Sequence, residues 1–148
     1  MPLESRIFVK TSVLALILTF AWGATMAFAE ATGHPFAPVW AIGHAHLAFI
    51  GWLVNLVIGI ALWMLPLNRD AFPLTQGRYP SWLPYVVYLC LNVGLVMRIC
   101  SEPFVSSSQL AAFGLGTSAA LQVLAIVLFG IVAWLRTRAP ARPGPGVR

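Results

Sequence analysis

Four long apolar runs, separated by short polar segments, dominate the chain. The runs cover about residues 7–28, 39–65, 82–100 and 109–135. At about 1.5 Å of rise per residue, a helix of each length crosses a hydrocarbon core of roughly 30 Å, the third only just. Backbone in lipid must satisfy its own hydrogen bonds, which favours helices, and the alternating pattern of barrel strands does not occur. The pattern predicts an all-α membrane protein, a four-transmembrane-helix bundle forming a single domain over residues 1–135.

Basic residues flank these runs and indicate an orientation. Arg6 and Lys10 belong to the start of the first run, and Arg69 and Arg78 lie between the second and third. The tail 136–148 carries four further arginines among prolines and glycines, so we expect it to be basic and disordered. Because cytoplasmic loops carry the excess of Lys and Arg, both termini are expected in the cytoplasm.

Composition supports a lipid environment. The chain of 148 residues is 59% hydrophobic and 9% charged, whereas a soluble domain carries about 25% charged residues. The formal charge of +5 does not indicate nucleic-acid binding, because most basic residues lie at the ends of apolar runs. The first 29 residues also resemble a signal peptide, with Ala27-Phe28-Ala29 before Glu30. That apolar stretch is longer than a usual signal core, which favours a retained first span.

Two histidines begin the second run, in the segment Gly43-His44-Ala45-His46-Leu47. Titratable side chains inside a membrane are costly and usually functional, so a haem iron or another metal is the candidate ligand. Successive helical residues advance by about 100°, so His44 and His46 project about 200° apart and cannot bind one ion from one regular helix.

The two histidines have different neighbours on such a helix. His44 shares its face with small residues, which form a groove able to admit a neighbouring helix or a flat macrocycle: Ala48, Gly51, Asn55 and Gly59. His46 shares its face with Ile50, Leu53, Val57 and Ile60, which pack a porphyrin or face lipid equally well. Geometry alone slightly favours His44. The alternative is an imidazole that bonds a backbone carbonyl and binds no metal.

The stretch from Ala37 to Trp52, continuing to Trp63-Met64-Leu65-Pro66, resembles the second helix of subunit I of haem-copper oxidases and nitric oxide reductases. It is most similar to the small four-span relatives of that subunit, and its His-x-His element also resembles membrane haem-copper proteins of the nitric-oxide response. The resemblance implies a b-type haem with an axial histidine near the outer side. Carried over by motif, His46 matches that ligand, and His44 is the runner-up.

The resemblance is weak outside the second run. The third run contains no histidine, and the chain has three histidines in all. A three-histidine copper site and a haem ligand therefore cannot be assembled in one protomer, so copper is not expected and terminal-oxidase chemistry is unsupported.

Other residues are candidates to complete a haem site. A sixth ligand could come from Met97, Met26, the loop residue His34, or a second protomer. For both methionines an apolar packing role is the plainer interpretation. Arg98 is suited to pairing with a haem propionate, with an interfacial anchor or a partner of Glu102 as its plainer role.

The leading hypothesis is a b-type haem protein of a bacterial inner membrane that transfers electrons or binds a diatomic gas such as NO or O2. Its partners would be the lipid bilayer, haem, a quinone or cytochrome redox partner, and a second copy of the chain, with no nucleic acid. The alternative is a cofactor-free scaffold or assembly partner of a respiratory complex. A small transporter is less well supported, because no buried carboxylate is available to couple a proton.

Overall fold

The computed structural model describes residues 1–138 and consists of four long helices joined by short loops. We label them α1 (Leu3–Ala31), α2 (Val39–Met64), α3 (Leu83–Ser101) and α4 (Gln109–Thr137). Short 3₁₀ turns occur at Pro73–Thr75 and Glu102–Phe104. The prediction of an all-helical protein with four membrane-spanning helices is confirmed, since all four are long and apolar enough to cross a bilayer.

The helices extend beyond several of the predicted limits. Helix α1 begins at Leu3 and ends at Ala31, and α4 continues past Leu135 to Thr137. Arg136, which the sequence assigned to the tail, therefore lies in α4, where only 3% of it is exposed. The expectation of a disordered tail concerns mainly residues 139–148, which lie outside the described residues.

Helix α2 is not a regular α-helix. It is α-helical over Val39–His46 and Asn55–Met64, and π-helical over Leu47–Val54. In the π-helical stretch hydrogen bonds span five residues instead of four, which widens the turn and shifts the side chains beyond it. The faces calculated at 100° per residue therefore do not hold along all of α2.

The helices pack in two pairs around a common core. Helix α1 lies along α2, and α3 lies along α4. A methyl group added at Gly59 would lie 2.9 Å from Cβ of Phe8, and one added at Gly94 would lie 3.0 Å from the Ser118 carbonyl oxygen. Small residues thus allow close contact in both pairs. The buried core includes Phe8, Ile58, Leu62, Val87, Leu91 and Ala125.

A reciprocal amide pair joins the two halves near the middle. Asn55 and Asn92 each donate from Nδ2 to the other's Oδ1 at 3.1 Å. Asn55 Nδ2 also bonds the Ile50 carbonyl inside the π-helical stretch, and Asn92 Nδ2 bonds the Tyr88 carbonyl. The predicted face containing His44 and Asn55 therefore contacts more than one helix. Asn55 contacts α3, whereas His44 contacts α1.

The two ends of the bundle differ in composition. We call one the histidine end, which holds the loop between α1 and α2 and the turn between α3 and α4. We call the other the arginine end, which holds the start of α1, the loop between α2 and α3, and the end of α4. At the arginine end, a left-handed Gly77 (φ of 90°) closes the loop, because its carbonyl accepts from the Asn68 amide at 3.0 Å.

The outer surface of the helices is strongly apolar. Large hydrophobic side chains project outward from every helix, including Phe20, Phe49, Val96, Phe113 and Trp134. So much exposed apolar surface is incompatible with water as the surrounding solvent, and a lipid bilayer accounts for it.

Candidate functional site

His44 lies in the contact between α1 and α2. Its ring meets the Trp22 ring edge-on, with centroids 6.2 Å apart and planes at 72°. A methyl group added at Gly23 would lie 3.1 Å from Cε1 and 3.6 Å from Nε2 of His44. Its Nδ1 is buried without a hydrogen-bond partner within the described residues. The imidazole is thus held between two helices, with one polar atom unsatisfied.

The small-residue groove beside His44 is filled by α1 and α3. Gly51 lies against Ala15 of α1 and Leu95 of α3, and Gly59 lies against Phe8 of α1. The sequence left open whether this groove admits a helix or a macrocycle. In this structure neighbouring helices occupy it, so the geometric preference for His44 loses its main support.

His46 lies on a different side of α2 and is held by its own backbone. Its Nδ1 is 2.9 Å from the carbonyl oxygen of Ile42, one turn earlier. A carbonyl only accepts hydrogen bonds, so Nδ1 carries the proton in this bond and, in the neutral ring, Nε2 keeps its lone pair. About a quarter of the His46 side chain is exposed. Nε2 of His46, whose lone pair is free to bind a ligand, therefore belongs to a ring at the surface of the bundle.

Two charged residues at the end of α3 lie next to His46. Glu102 Oε2 is 4.0 Å from His46 Nδ1, beyond hydrogen-bond reach, and Glu102 Oε1 is 3.6 Å from Arg98 Nη2. Arg98 Nε and Glu102 Oε2 are both buried without a hydrogen-bond partner in residues 1–138. A cation, a carboxylate and an imidazole thus form a row in which two buried polar atoms are unsatisfied.

The other candidate ligands have plainer surroundings. Met97 is partly buried and lies between Gly94 and Ser101, both of which contact α4, so helical spacing places it on the face toward α4. Met26 is partly buried near the end of α1. His34 is exposed, with Nδ1 2.9 Å from the Thr32 carbonyl. Within residues 1–138, no hydrogen bond, ion pair or ring contact links any of these three to His46.

Of these residues, His46 makes a hydrogen bond of the kind that metal-bound histidines make. Metal-bound histidines commonly donate their second ring nitrogen to a carbonyl or carboxylate, which His46 does with Ile42. Among residues 1–138, no group of three or more His, Cys, Asp or Glu is placed to hold a metal ion. A haem does not need such a group, because the porphyrin supplies the in-plane ligands itself.

Sequence reasoning underestimated two neighbours of the histidines. The sequence indicates Glu102 only as a partner of Arg98, yet in the structure Glu102 also approaches His46. Trp22 was not singled out, yet it contacts Gly43, His44 and Trp40. The four-residue spacing of Arg98 and Glu102 was a usable local signal for the first. The contact of Trp22 depends on how α1 and α2 pack, which no local pattern encodes.

Comparison with known proteins assigns no family. No family model matches the chain, and no solved structure matches it. A match exists to an apolipoprotein N-acyltransferase of Thermotoga maritima, 33% identical over 69 residues. It covers 47% of this chain and 12% of that protein, which is too small a share to place the chain in its family.

Proposed function

We propose that this protein is a multi-pass b-type haem protein of a bacterial inner membrane, with iron held by Nε2 of His46. The proposal places both termini in the cytoplasm and His46 toward the outer face, because the basic residues gather at the arginine end. Its function is electron transfer or binding of a diatomic gas. The relationship to subunit I of haem-copper oxidases rests on the sequence of the second helix.

One observation carries the proposal, the hydrogen bond between His46 Nδ1 and the Ile42 carbonyl at 2.9 Å. This bond fixes the tautomer and the ring orientation that a metal-binding histidine needs. The imidazole is also too short to reach water easily from inside the membrane, so a partner for Nε2 is favoured there.

The neighbouring charges suit the same cofactor. Arg98 presents a planar fork that matches a propionate carboxylate, and its buried Nε has no hydrogen-bond partner among the described residues. Glu102 holds the other side of that guanidinium at 3.6 Å. Arg98 would therefore orient the propionate while Glu102 keeps the arginine in place.

A haem held by His46 would supply reversible one-electron chemistry if a second side chain also bound the iron, and it would bind a diatomic gas if none did. Because His46 lies at the bundle surface, a second copy of the chain is a suitable source of the sixth ligand. We therefore expect a dimer to accompany electron transfer, and a five-coordinate site to accompany gas binding.

The cofactor-free scaffold stays a second candidate, and a specific observation favours it. Helices α1 and α3 fill the groove beside His44, so the part of α2 that was best suited to a macrocycle is already occupied by protein. In that function His46 is simply an imidazole bonded to its own helix.

Optical spectra of the purified protein separate the two candidates. After expression with adequate haem, we expect a Soret band in the wild type, its strong reduction in His46→Ala, and its retention in the matched control His34→Ala. His44→Ala should retain more haem than His46→Ala. A colourless wild type, or equal haem content in His46→Ala and His34→Ala, would contradict the proposal. Adding carbon monoxide to the reduced protein then distinguishes an open axial position from a filled one.

A further inference from the structure

A cavity at the arginine end is lined by two arginines that come from different parts of the chain. It has a volume of about 150 Å³, and Arg78 and Arg136 line it together with Tyr79. Apolar residues complete the wall: Pro2, Leu62, Trp63, Leu65 and Leu67. The cavity is independent of the haem proposal, since it lies at the opposite end of the bundle from His46.

The lining carries positive charge without a negative partner. Among the described residues that line it, two are guanidinium groups and none is a carboxylate. The Glu4 carboxylate lies behind the wall, where its Oε1 accepts the hydrogen bond of the lining residue Tyr79 at 3.0 Å, and Glu4 itself does not line the cavity. Two like charges facing one cavity repel each other, and an anion between them removes that repulsion.

Arg136 is held in place and still has donors to offer. Its Nε donates to the Pro66 carbonyl at 3.0 Å and Nη1 to the Leu62 carbonyl at 3.2 Å, while Nη2 donates to the Leu65 carbonyl. A guanidinium carries five N–H groups, so two remain beyond these three bonds. The group is 3% exposed, and its carbon lies 5.3 Å from the centroid of the Tyr79 ring. A buried, fixed cation with unused donors is a built anion site.

The size and the rim of the cavity indicate the source of the anion. Pockets for whole small molecules run to roughly 300–1,000 Å³, so this cavity admits a single phosphate group and not the molecule that carries it. Trp63, at the end of α2, and Leu67, in the loop that follows, are both more than half exposed, where the bundle borders the lipid. Basic pockets between transmembrane helices are typical sites for anionic lipid headgroups.

We propose that the cavity between Arg78, Tyr79 and Arg136 binds the phosphate of an anionic membrane lipid, whose acyl chains lie outside along Trp63 and Leu67. Arg78, which is exposed, meets the phosphate from the loop side, and Arg136 meets it from within the bundle. The lipid would thereby join the loop before α3 to the ends of α2 and α4.

The test measures lipid retention by the full chain purified in detergent, using native mass spectrometry with added phosphatidylglycerol or phosphatidylcholine. The variant is Arg78→Gln, because Arg78 is exposed and its loss should leave the fold intact. The matched control is Arg6→Gln, which removes an exposed arginine of the same end that does not line the cavity. Thermal unfolding without lipid establishes that both variants are folded.

We expect the wild type and Arg6→Gln to retain phosphatidylglycerol over phosphatidylcholine, and Arg78→Gln to bind phosphatidylglycerol about fivefold more weakly. Equal retention of the two lipids by the wild type, or unchanged binding by Arg78→Gln, would overturn the proposal. A third arm adds inorganic phosphate. If phosphate at low millimolar concentration displaces the lipid, the source is a free phosphate and the assignment to a lipid is wrong.

Discussion

The two ends of the bundle differ in how far their buried polar groups are hydrogen-bonded. At the arginine end, Arg136 donates to three carbonyls, Asn68 Nδ2 donates to the Leu135 carbonyl at 2.6 Å, and Tyr79 donates to Glu4. In the described part of the chain, three buried atoms at the histidine end have no partner, namely His44 Nδ1, Arg98 Nε and Glu102 Oε2, whereas the arginine end has one, Ser5 Oγ. Most buried polar groups at the arginine end are therefore hydrogen-bonded across elements, and most of the unpartnered ones lie at the histidine end.

This difference assigns different tasks to the ends. A buried polar atom without a partner costs about 1–3 kcal/mol, so it persists where a ligand, water or partner supplies the missing bond. The Arg136 bonds satisfy carbonyls at the end of α2 that the helix itself cannot satisfy. We infer that the polar groups of the arginine end contribute mainly to stability, and that the proposed haem site lies where most of the unpartnered polar atoms are.

The largest effect should come from Arg136→Met. This change leaves the Leu62, Leu65 and Pro66 carbonyls without their charged donor and removes the contact with the Tyr79 ring. Because hydrogen bonds to charged groups contribute about 1.5–3 kcal/mol each, we expect the free energy of unfolding to fall by at least about 3 kcal/mol. Denaturant unfolding in micelles provides the measurement.

The matched control for this change is Arg138→Met, two residues later and exposed. It should alter the free energy of unfolding by no more than about 0.5 kcal/mol. If the two variants were equally stable, the arginine end would not have the stabilising role described above. Haem content relative to folded protein should be the same in both, since neither residue lies near His46.

Two glycines of the α1–α2 contact, Gly59 toward the arginine end and Gly23 at the histidine end, should show a difference in stability of intermediate size. A methyl group at Gly59 would lie 2.9 Å from Phe8 Cβ and 3.1 Å from the Ser5 carbonyl oxygen, so the backbones themselves must separate. At Gly23 the nearest atom is Cε1 of the His44 ring, at 3.1 Å, and a ring can rotate away. We expect Gly59→Ala to cost about 1–3 kcal/mol and Gly23→Ala clearly less.

Thermal unfolding of the two variants beside Gly116→Ala measures this difference. Gly116 has nothing within 4 Å of the added methyl, so that change should be neutral or stabilising by up to about 1 kcal/mol. A Gly23→Ala variant less stable than Gly59→Ala would reverse the expected order and show that the histidine end is the more rigid one.

The sequence predicted the four helices because lipid leaves the backbone few alternatives. Long apolar runs must form helices in a bilayer, and the apolar patterns gave approximate limits for all four. The π-helical stretch in α2 left no such signal, so the faces of His44 and Asn55 were calculated for a helix that is regular only in part.

The contacts of Arg136 and His44 could not be predicted from the sequence, because in both cases the contacting residues come from distant parts of the chain. An arginine after an apolar run resembles a tail charge, and its acceptors near Pro66 lie 70 residues away in the chain. The ring of His44 rests on Trp22 and Gly23, which belong to another helix. By contrast, the bond of His46 to the Ile42 carbonyl lies within one helical turn. It is of the kind that the sequence analysis gave as its alternative, an imidazole bonded to a backbone carbonyl.

The smallest effect concerns Tyr79 at the arginine end. Burial, and then the charge of Glu4, raise the pKa of the Tyr79 hydroxyl above its ordinary value, so the neutral form is favoured in the folded protein. An acid whose folded pKa is raised contributes stability that is fully present below its unfolded pKa of about 10 and declines as pH rises beyond it.

We expect the free energy of unfolding of the wild type to fall above about pH 10. The Tyr79→Phe variant should lose about 1 kcal/mol at neutral pH, through the missing bond to Glu4, and show a shallower alkaline decline. An identical decline in both proteins would mean that Tyr79 ionises as freely as in water, and that the arginine end is more open than its buried side chains indicate.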